Sequence, residues 1–167
     1  MVIYPQEVTM KRFNKILLEI GLVSCIVVCI LMYFVIYRIS RSFVFWNPDL
    51  AFMQMPLYTF SILIITGVIG ALSLALFLVH RSTKENIFHR LTIKALYWVG
   101  HSLGFAFLMS LAFFGYAYYH LAKGMGLPGG YVGIFVLITF VGTNVMYFIA
   151  GLFKQAVEYK EENQLTV

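Results

Sequence analysis

Apolar residues run along this chain in four long windows rather than in short alternating or amphipathic patches. The windows cover residues 16–37, 57–79, 96–121 and 131–153, and each holds 22 to 26 residues. At 1.5 Å per helical residue, about 20 residues cross a hydrocarbon core. Each window therefore predicts a membrane span. A segment inside hydrocarbon must satisfy its own backbone hydrogen bonds, which predicts helix in all four. Glu19 is the one Asp, Glu, Lys or Arg inside them. The expected fold is an all-α integral membrane protein. Its four transmembrane helices form a bundle as a single domain over 1–167, with residues 154–167 as a cytoplasmic tail.

The segments between windows carry local signals. Ser82-Thr83-Lys84-Glu85 has the pattern of a helix-capping box. It predicts a surface helix with Ile87, Phe88, Leu91 and Ala95 along one face, lying on the membrane before the third span. Phe43, Val44, Phe45 and Trp46 read as an interface belt, and Asn47-Pro48-Asp49 as a turn or helix start. Residues 124–130 hold Gly124, Gly126, Pro128, Gly129 and Gly130 and predict a short turn. The first window is too long for a signal-peptide core, and no small-x-small site follows it, so it is read as a span and not a cleaved leader.

Charge orients the spans. Lys11, Arg12, Lys15, Arg81, Lys84, Arg90, Lys94, Lys154 and Lys160 fall on one side of the alternating spans. Arg38, Arg41 and Lys123 fall on the other. The positive-inside rule then places both termini in the cytoplasm. A net charge of +5 on a soluble chain would raise the question of nucleic acid. Here the cations flank apolar runs, so the expected partner is the lipid bilayer, with no direct nucleic acid contact.

Composition agrees. Hydrophobic residues make up 61% of the chain and charged residues 11%, against about 25% charged in a typical soluble domain. That excludes a disordered chain and argues against a water-soluble globule. Cys25 and Cys29 lie four apart and predict two small buried side chains on one helix face, with no disulfide and no metal site.

Small residues mark where helices approach. Gly67, Ala71 and Ala75 form one stripe, Gly100 and Gly104 a second, and Gly142 stands in the fourth span. Internal packing is the expected use, with a homo-oligomer seam as the alternative.

Candidate chemistry is sparse. A carboxylate within a span usually marks function, and Glu19 lies about one turn inside the first. Lys15, four residues earlier, offers it a partner at the membrane surface. His101 is expected at similar depth, so a Glu19–His101 pair is a candidate proton-sensitive contact. Asn144 near mid-membrane is expected to make an interhelical hydrogen bond. Gly100-His101-Ser102-Leu103-Gly104 matches the G-x-S-x-G nucleophile elbow. That motif needs a strand-to-helix turn followed in chain order by an acid and a histidine, and no histidine follows Glu158, Glu161 and Glu162. Ser102 is therefore expected to be a packed hydroxyl and the protein not an enzyme. His80, His89 and His120 sit at or near span ends without a cysteine or carboxylate cluster, so no metal is expected. No phosphate-binding loop, dinucleotide glycine pattern or zinc-protease signature occurs, so no cofactor is expected either.

Three pieces carry a family resemblance. They are Asn47-Pro48-Asp49-Leu50-Ala51-Phe52 with Pro56, then Lys84-Glu85-Asn86-Ile87-Phe88 with Ile93-Lys94-Ala95-Leu96, and the tail from Ala156 through Val167. They resemble the YoaS-like family of small four-span bacterial membrane proteins of unknown function. Gln164 stands where the pattern has an acidic residue. The resemblance implies a bacterial inner-membrane location. It also implies association with a small helix-turn-helix regulator, and supplies no catalytic residue. The expected function is accordingly an accessory or regulatory membrane protein with a cytoplasmic protein partner. Its tail residues Lys160, Glu161, Glu162, Asn163, Leu165, Thr166 and Val167 are the candidate partner-binding segment. The alternative is an oligomeric transporter or channel subunit with Glu19, His101 and Asn144 facing inward.

Overall fold

The computed structural model describes residues 5–46, 48–81, 90–121 and 128–165, with side chains for 13–46, 48–81, 90–120 and 132–162. Four helices account for nearly all of it: α1 (Pro5–Trp46), α2 (Gln54–Arg81), α3 (Arg90–Leu121) and α4 (Pro128–Leu165). A short 3-10 helix, Pro48–Met53, joins α1 to α2. There is no strand among the described residues, and all four helices are long and apolar enough to cross a membrane.

The helices overrun the apolar windows. α3 already contains Leu91 and Ala95, so these residues belong to the third span's helix and not to a separate surface helix. The capping box and residues 82–89 lie outside the described residues. Pro128, Gly129 and Gly130 begin α4 instead of closing a turn. Proline suits the first helical turn, where its missing N–H would have no partner anyway. Residues 124–127 lie outside the described residues.

Each helix packs on its neighbours in sequence. α1 lies against α2, α2 against α3 and α3 against α4; among the described residues there is no close backbone approach between α1 and α3 or between α4 and either α1 or α2. The bundle is thus an open row. On α1, Leu22, Ile26, Cys29, Tyr33, Ile36 and Ser40 are at least half-buried while most residues between them are exposed. Their spacing alternates four and three, the period of a coiled-coil seam. Cys29 belongs to this seam, but Cys25 is exposed. The two cysteines do not share one buried face as expected.

Small residues build the inner seams. A Cβ added at Gly67 would stand 3.0 Å from both the Ala106 Cβ and the Ser102 carbonyl oxygen. Gly67 and Ala71 are buried. A Cβ at Gly100 would meet the Tyr147 ring at 3.1 Å, and one at Gly104 would meet the Thr143 methyl at 3.6 Å. The first stripe therefore lets α2 approach α3, and the second lets α3 approach α4. Ser110 and Thr139, both buried, join α3 to α4 through hydroxyls 3.3 Å apart. Each hydroxyl also lies within hydrogen-bond distance of a carbonyl one turn back in its own helix; with one proton apiece, either one of them donates across the seam or both donate along their own helices. At the end where α1 turns into α2, Met53 is buried against Ala117, with Phe43, Leu50 and Tyr116 around them.

Candidate functional site

Polar side chains gather in two places. The first is the end of the row where α1 and α3 begin and α2 and α4 finish. Lys15 and Glu19 lie one turn apart on the α1 seam, with Lys15 Nζ 3.5 Å from Glu19 Oε1. His80, in the last turn of α2, brings Nδ1 to 3.4 Å from the same oxygen. Lys15 Nζ donates to the His80 carbonyl at 3.0 Å. The last carbonyls of a helix lack intrahelical donors and carry partial negative charge, so a lysine there fills a vacancy that α2 creates. Glu19 Oε1 is buried and has these ionic neighbours but no hydrogen bond. A groove of about 470 Å³ opens beside it, lined by Glu19, His80, Ser73, Val23, Leu76 and Phe77.

At the same end, Arg90 on the first turn of α3 forks onto Glu161 near the end of α4. Nη2 donates to Oε2 at 2.9 Å and Nε to Oε1 at 3.2 Å. A planar guanidinium matches a carboxylate in this two-bond geometry. Val157, one turn earlier on α4, is buried, so the end of α4 is fixed by packing as well as charge.

The second place lies deeper. His101 Nδ1 and Tyr147 Oη are 2.6 Å apart between α3 and α4. The ring of Trp98 stands edge-on to His101 at 5.9 Å. A groove of about 310 Å³ between α2 and α3 is lined by Thr66, Gly67, Trp98, His101, Ser102 and Phe105. Thr66 also shares a 2.6 Å hydrogen bond with the Tyr33 hydroxyl of α1.

The structure does not bring Glu19 and His101 together. Glu19 faces Lys15 and His80, whereas His101 holds Tyr147. There are two physical reasons: Glu19 is level with the last turn of α2 whereas His101 is level with Gly67 and Gly70, and α2 packs on both α1 and α3. Asn144 is exposed and donates to the Phe140 carbonyl within α4 at 2.8 Å; the bond is intrahelical, not interhelical. Ser102 lies in a continuous helix with its hydroxyl beside Gly70, whereas a nucleophile elbow is a strand-to-helix turn. Of the tail, Glu161 is paired with Arg90, Lys160 is half-buried and Glu162 is exposed. Asn163 and Leu165 lie on α4 with side chains outside the described set, and Thr166 and Val167 lie outside the described residues. No group of three potential metal-ligating side chains occurs among the described residues.

Sequence reasoning missed Tyr147, Arg90 and the Ser110–Thr139 contact. Tyr147 carries no signal of its own, since a tyrosine in an aromatic span reads as packing. Arg90 reads in the sequence only as one of the cations that flank the third span. Serine and threonine in spans usually satisfy themselves on their own helix, so an interhelical bond between two of them cannot be read from either one.

An antiparallel row of four apolar helices, with polar contacts held between neighbours and charged groups gathered at one end, defines a multi-pass helical membrane protein. No curated protein and no solved structure matches the chain. Residues 43–167 match the family described as Protein of unknown function (DUF2975), and the chain belongs to that family. The matched residues take in the end of α1 and all of α2, α3 and α4, and so contain both the His101–Tyr147 and Arg90–Glu161 pairs.

Proposed function

We propose that this protein is a non-enzymatic accessory or regulatory protein of the bacterial inner membrane that holds a soluble partner at its charged end. The supporting observation is α4. It runs 38 residues, about 57 Å at 1.5 Å per residue, where a hydrocarbon core is about 30 Å thick. Its last turns therefore continue past the apolar window as helix, fixed to the start of α3 by Arg90–Glu161 and by burial of Val157. Lys154, Glu158 and Tyr159 are left exposed on this projection. They form a preformed helical edge that binds without a large ordering cost.

The excess of Lys and Arg at this end supports a cytoplasmic orientation for it and for both termini. The resemblance to the YoaS-like family supports a small helix-turn-helix regulator as the partner. In that arrangement the regulator supplies the DNA contacts, and the membrane protein sets how much of it is free. A state of the row that loosens the Arg90–Glu161 fork would bind the partner differently, and that difference is what a membrane signal can act through. The test is capture of a DNA-binding protein, identified by mass spectrometry, on full-length protein in membranes. Deleting residues 160–167 removes the fork and the tip, and Tyr159→Ala removes an exposed anchor while leaving the fork. Loss of capture in both variants is expected. Undiminished capture by both overturns the proposal.

A further inference from the structure

The deeper polar pair points to a ligand. His101 lies about 16 Å along α3 from Arg90 at 1.5 Å per residue, well below the charged end. It is exposed on the surface of the row while sitting within a span. Among the described residues, neither the His101 nor the Tyr147 side chain has a hydrogen bond besides the one they share.

Proton counting makes this informative whichever tautomer is present. A neutral imidazole has one N–H and a phenol has one O–H. If Tyr147 donates to Nδ1, the imidazole proton sits on Nε2 and is unused. If Nδ1–H donates to Tyr147, the phenol proton is unused. The pair always retains one donor, and hydrocarbon holds no acceptor for it.

The groove beside His101 says what kind of acceptor fits. Its volume of about 310 Å³ is at the small end of ligand sites, room for one ring-sized headgroup. Gly67 borders it where α2 meets α3, and Trp98 and Phe105 supply aromatic surface. No charged side chain lines it. Trp98 is 62% exposed, so one wall opens toward lipid. A flat ring can rest on these side chains, a carbonyl oxygen can accept from His101 Nε2–H when Tyr147 donates to Nδ1, and an apolar tail can remain in the bilayer.

We infer that the α2–α3 groove beside His101, whose ring Tyr147 holds from α4, is a binding site for a membrane-soluble quinone. Binding, without any redox step, is the whole of the inference. It does not rest on the docking of a soluble partner at the charged end. The ester carbonyl of a phospholipid shares the acceptor chemistry, and a second copy of the chain could also cover the groove. Both are alternative outcomes of the test.

Trp98 borders the groove and the chain's other tryptophan, Trp46, stands at the end of α1. Quinones quench indole fluorescence, so each tryptophan alone becomes a local probe. The full chain in phosphatidylcholine nanodiscs is titrated with decylubiquinone, as Trp46→Phe to read Trp98 and as Trp98→Phe to read Trp46. Saturable quenching of Trp98 is expected, with only the linear rise of simple partitioning at Trp46. His101→Leu in the Trp46→Phe background is expected to raise the half-saturating concentration at least tenfold. Tyr147→Phe, which releases the imidazole but keeps it, is expected to raise it a few-fold. Unchanged elution and helicity show that the variants fold. Linear quenching at both tryptophans, or a midpoint untouched by His101→Leu, overturns the inference. So does native mass spectrometry showing a phospholipid or a dimer that decylubiquinone fails to displace.

Discussion

One added methyl group at Gly67 is expected to cost about 1–3 kcal/mol more than the same methyl at Gly21, the usual range for overpacking a tight interior. The ideal Cβ at Gly67 stands 3.0 Å from the Ala106 Cβ, 3.0 Å from the Ser102 carbonyl oxygen and 3.1 Å from the Ala106 nitrogen. Two of these atoms are α3 backbone and cannot swing away, so α2 and α3 must separate. A gap of roughly 0.5–1 Å already forfeits a quarter to a half of each dispersion contact along a seam. The gain in helix propensity from glycine to alanine, about 1 kcal/mol, is common to both positions. At Gly21 nothing lies within 4 Å of the added Cβ, so the comparison isolates packing. Gly70→Ala should fall between them, because its nearest neighbour is the Ser102 hydroxyl at 3.4 Å. The assay is the midpoint of heat-induced loss of the monodisperse elution peak in dodecyl maltoside. About 2–4 °C per kcal/mol is expected for a chain of this size. If Gly67→Ala melts together with Gly21→Ala or above it, the close approach of α2 and α3 is not what holds this seam.

Three further outcomes are expected, two from the geometry and one from the charge pattern. Arg90→Glu should free the end of α4 to protease in detergent, and the swap Arg90→Glu with Glu161→Arg should restore protection; a swap that fails to rescue would show that the fork is not what fixes α4. A double-mutant cycle of Ser110→Ala with Thr139→Val should give a coupling of about 0.6 kcal/mol, below about 1.7, because each hydroxyl keeps a carbonyl partner in its own helix; larger coupling would mean that the interhelical bond dominates. Reporter fusions at both termini should give fluorescent green protein and inactive alkaline phosphatase, and ends on opposite sides would contradict the charge-based orientation.

The helices were legible because hydrocarbon leaves a span no other way to satisfy its backbone, and the windows of apolar residues are long. Their ends were less legible. The start of α3 at Arg90 and of α4 at Pro128 fall outside the apolar windows, so hydropathy locates the membrane and not the helix terminus. The use of Gly67, Ala71, Gly100 and Gly104 as packing surfaces also followed from sequence, since a missing side chain is a direct statement about closeness. What glycine does not state is which neighbour comes close.

Pairing is where sequence reasoning ran out. Depth was the criterion for joining Glu19 to His101, and it fails: Glu19 is level with His80, whereas α3 at Ser102 meets α2 at Gly70, about 15 Å back along that helix. Lys15 and His80 neighbour Glu19 at the end of the row, and Tyr147 bonds His101 farther in. In a closed bundle α1 and α3 would face across a shared interior; in an open row α2 stands between them. The burial pattern shows why the row stays open. Several of the most buried residues are small or hydroxylated (Ala106, Ala150, Ser40, Ser110 and Thr139), while Phe34, Leu137, Ile138 and Phe148 are exposed. In water this arrangement would be inside out. In lipid, large apolar side chains gain nothing by leaving the solvent, and helices associate where small surfaces allow close approach and polar groups find partners. The seams then need only one stripe per helix pair, and no apolar interior is required to close the row. An exposed imidazole on such a surface is therefore conspicuous where an exposed phenylalanine is ordinary, because lipid solvates the ring of one and leaves a proton donor of the other unmet.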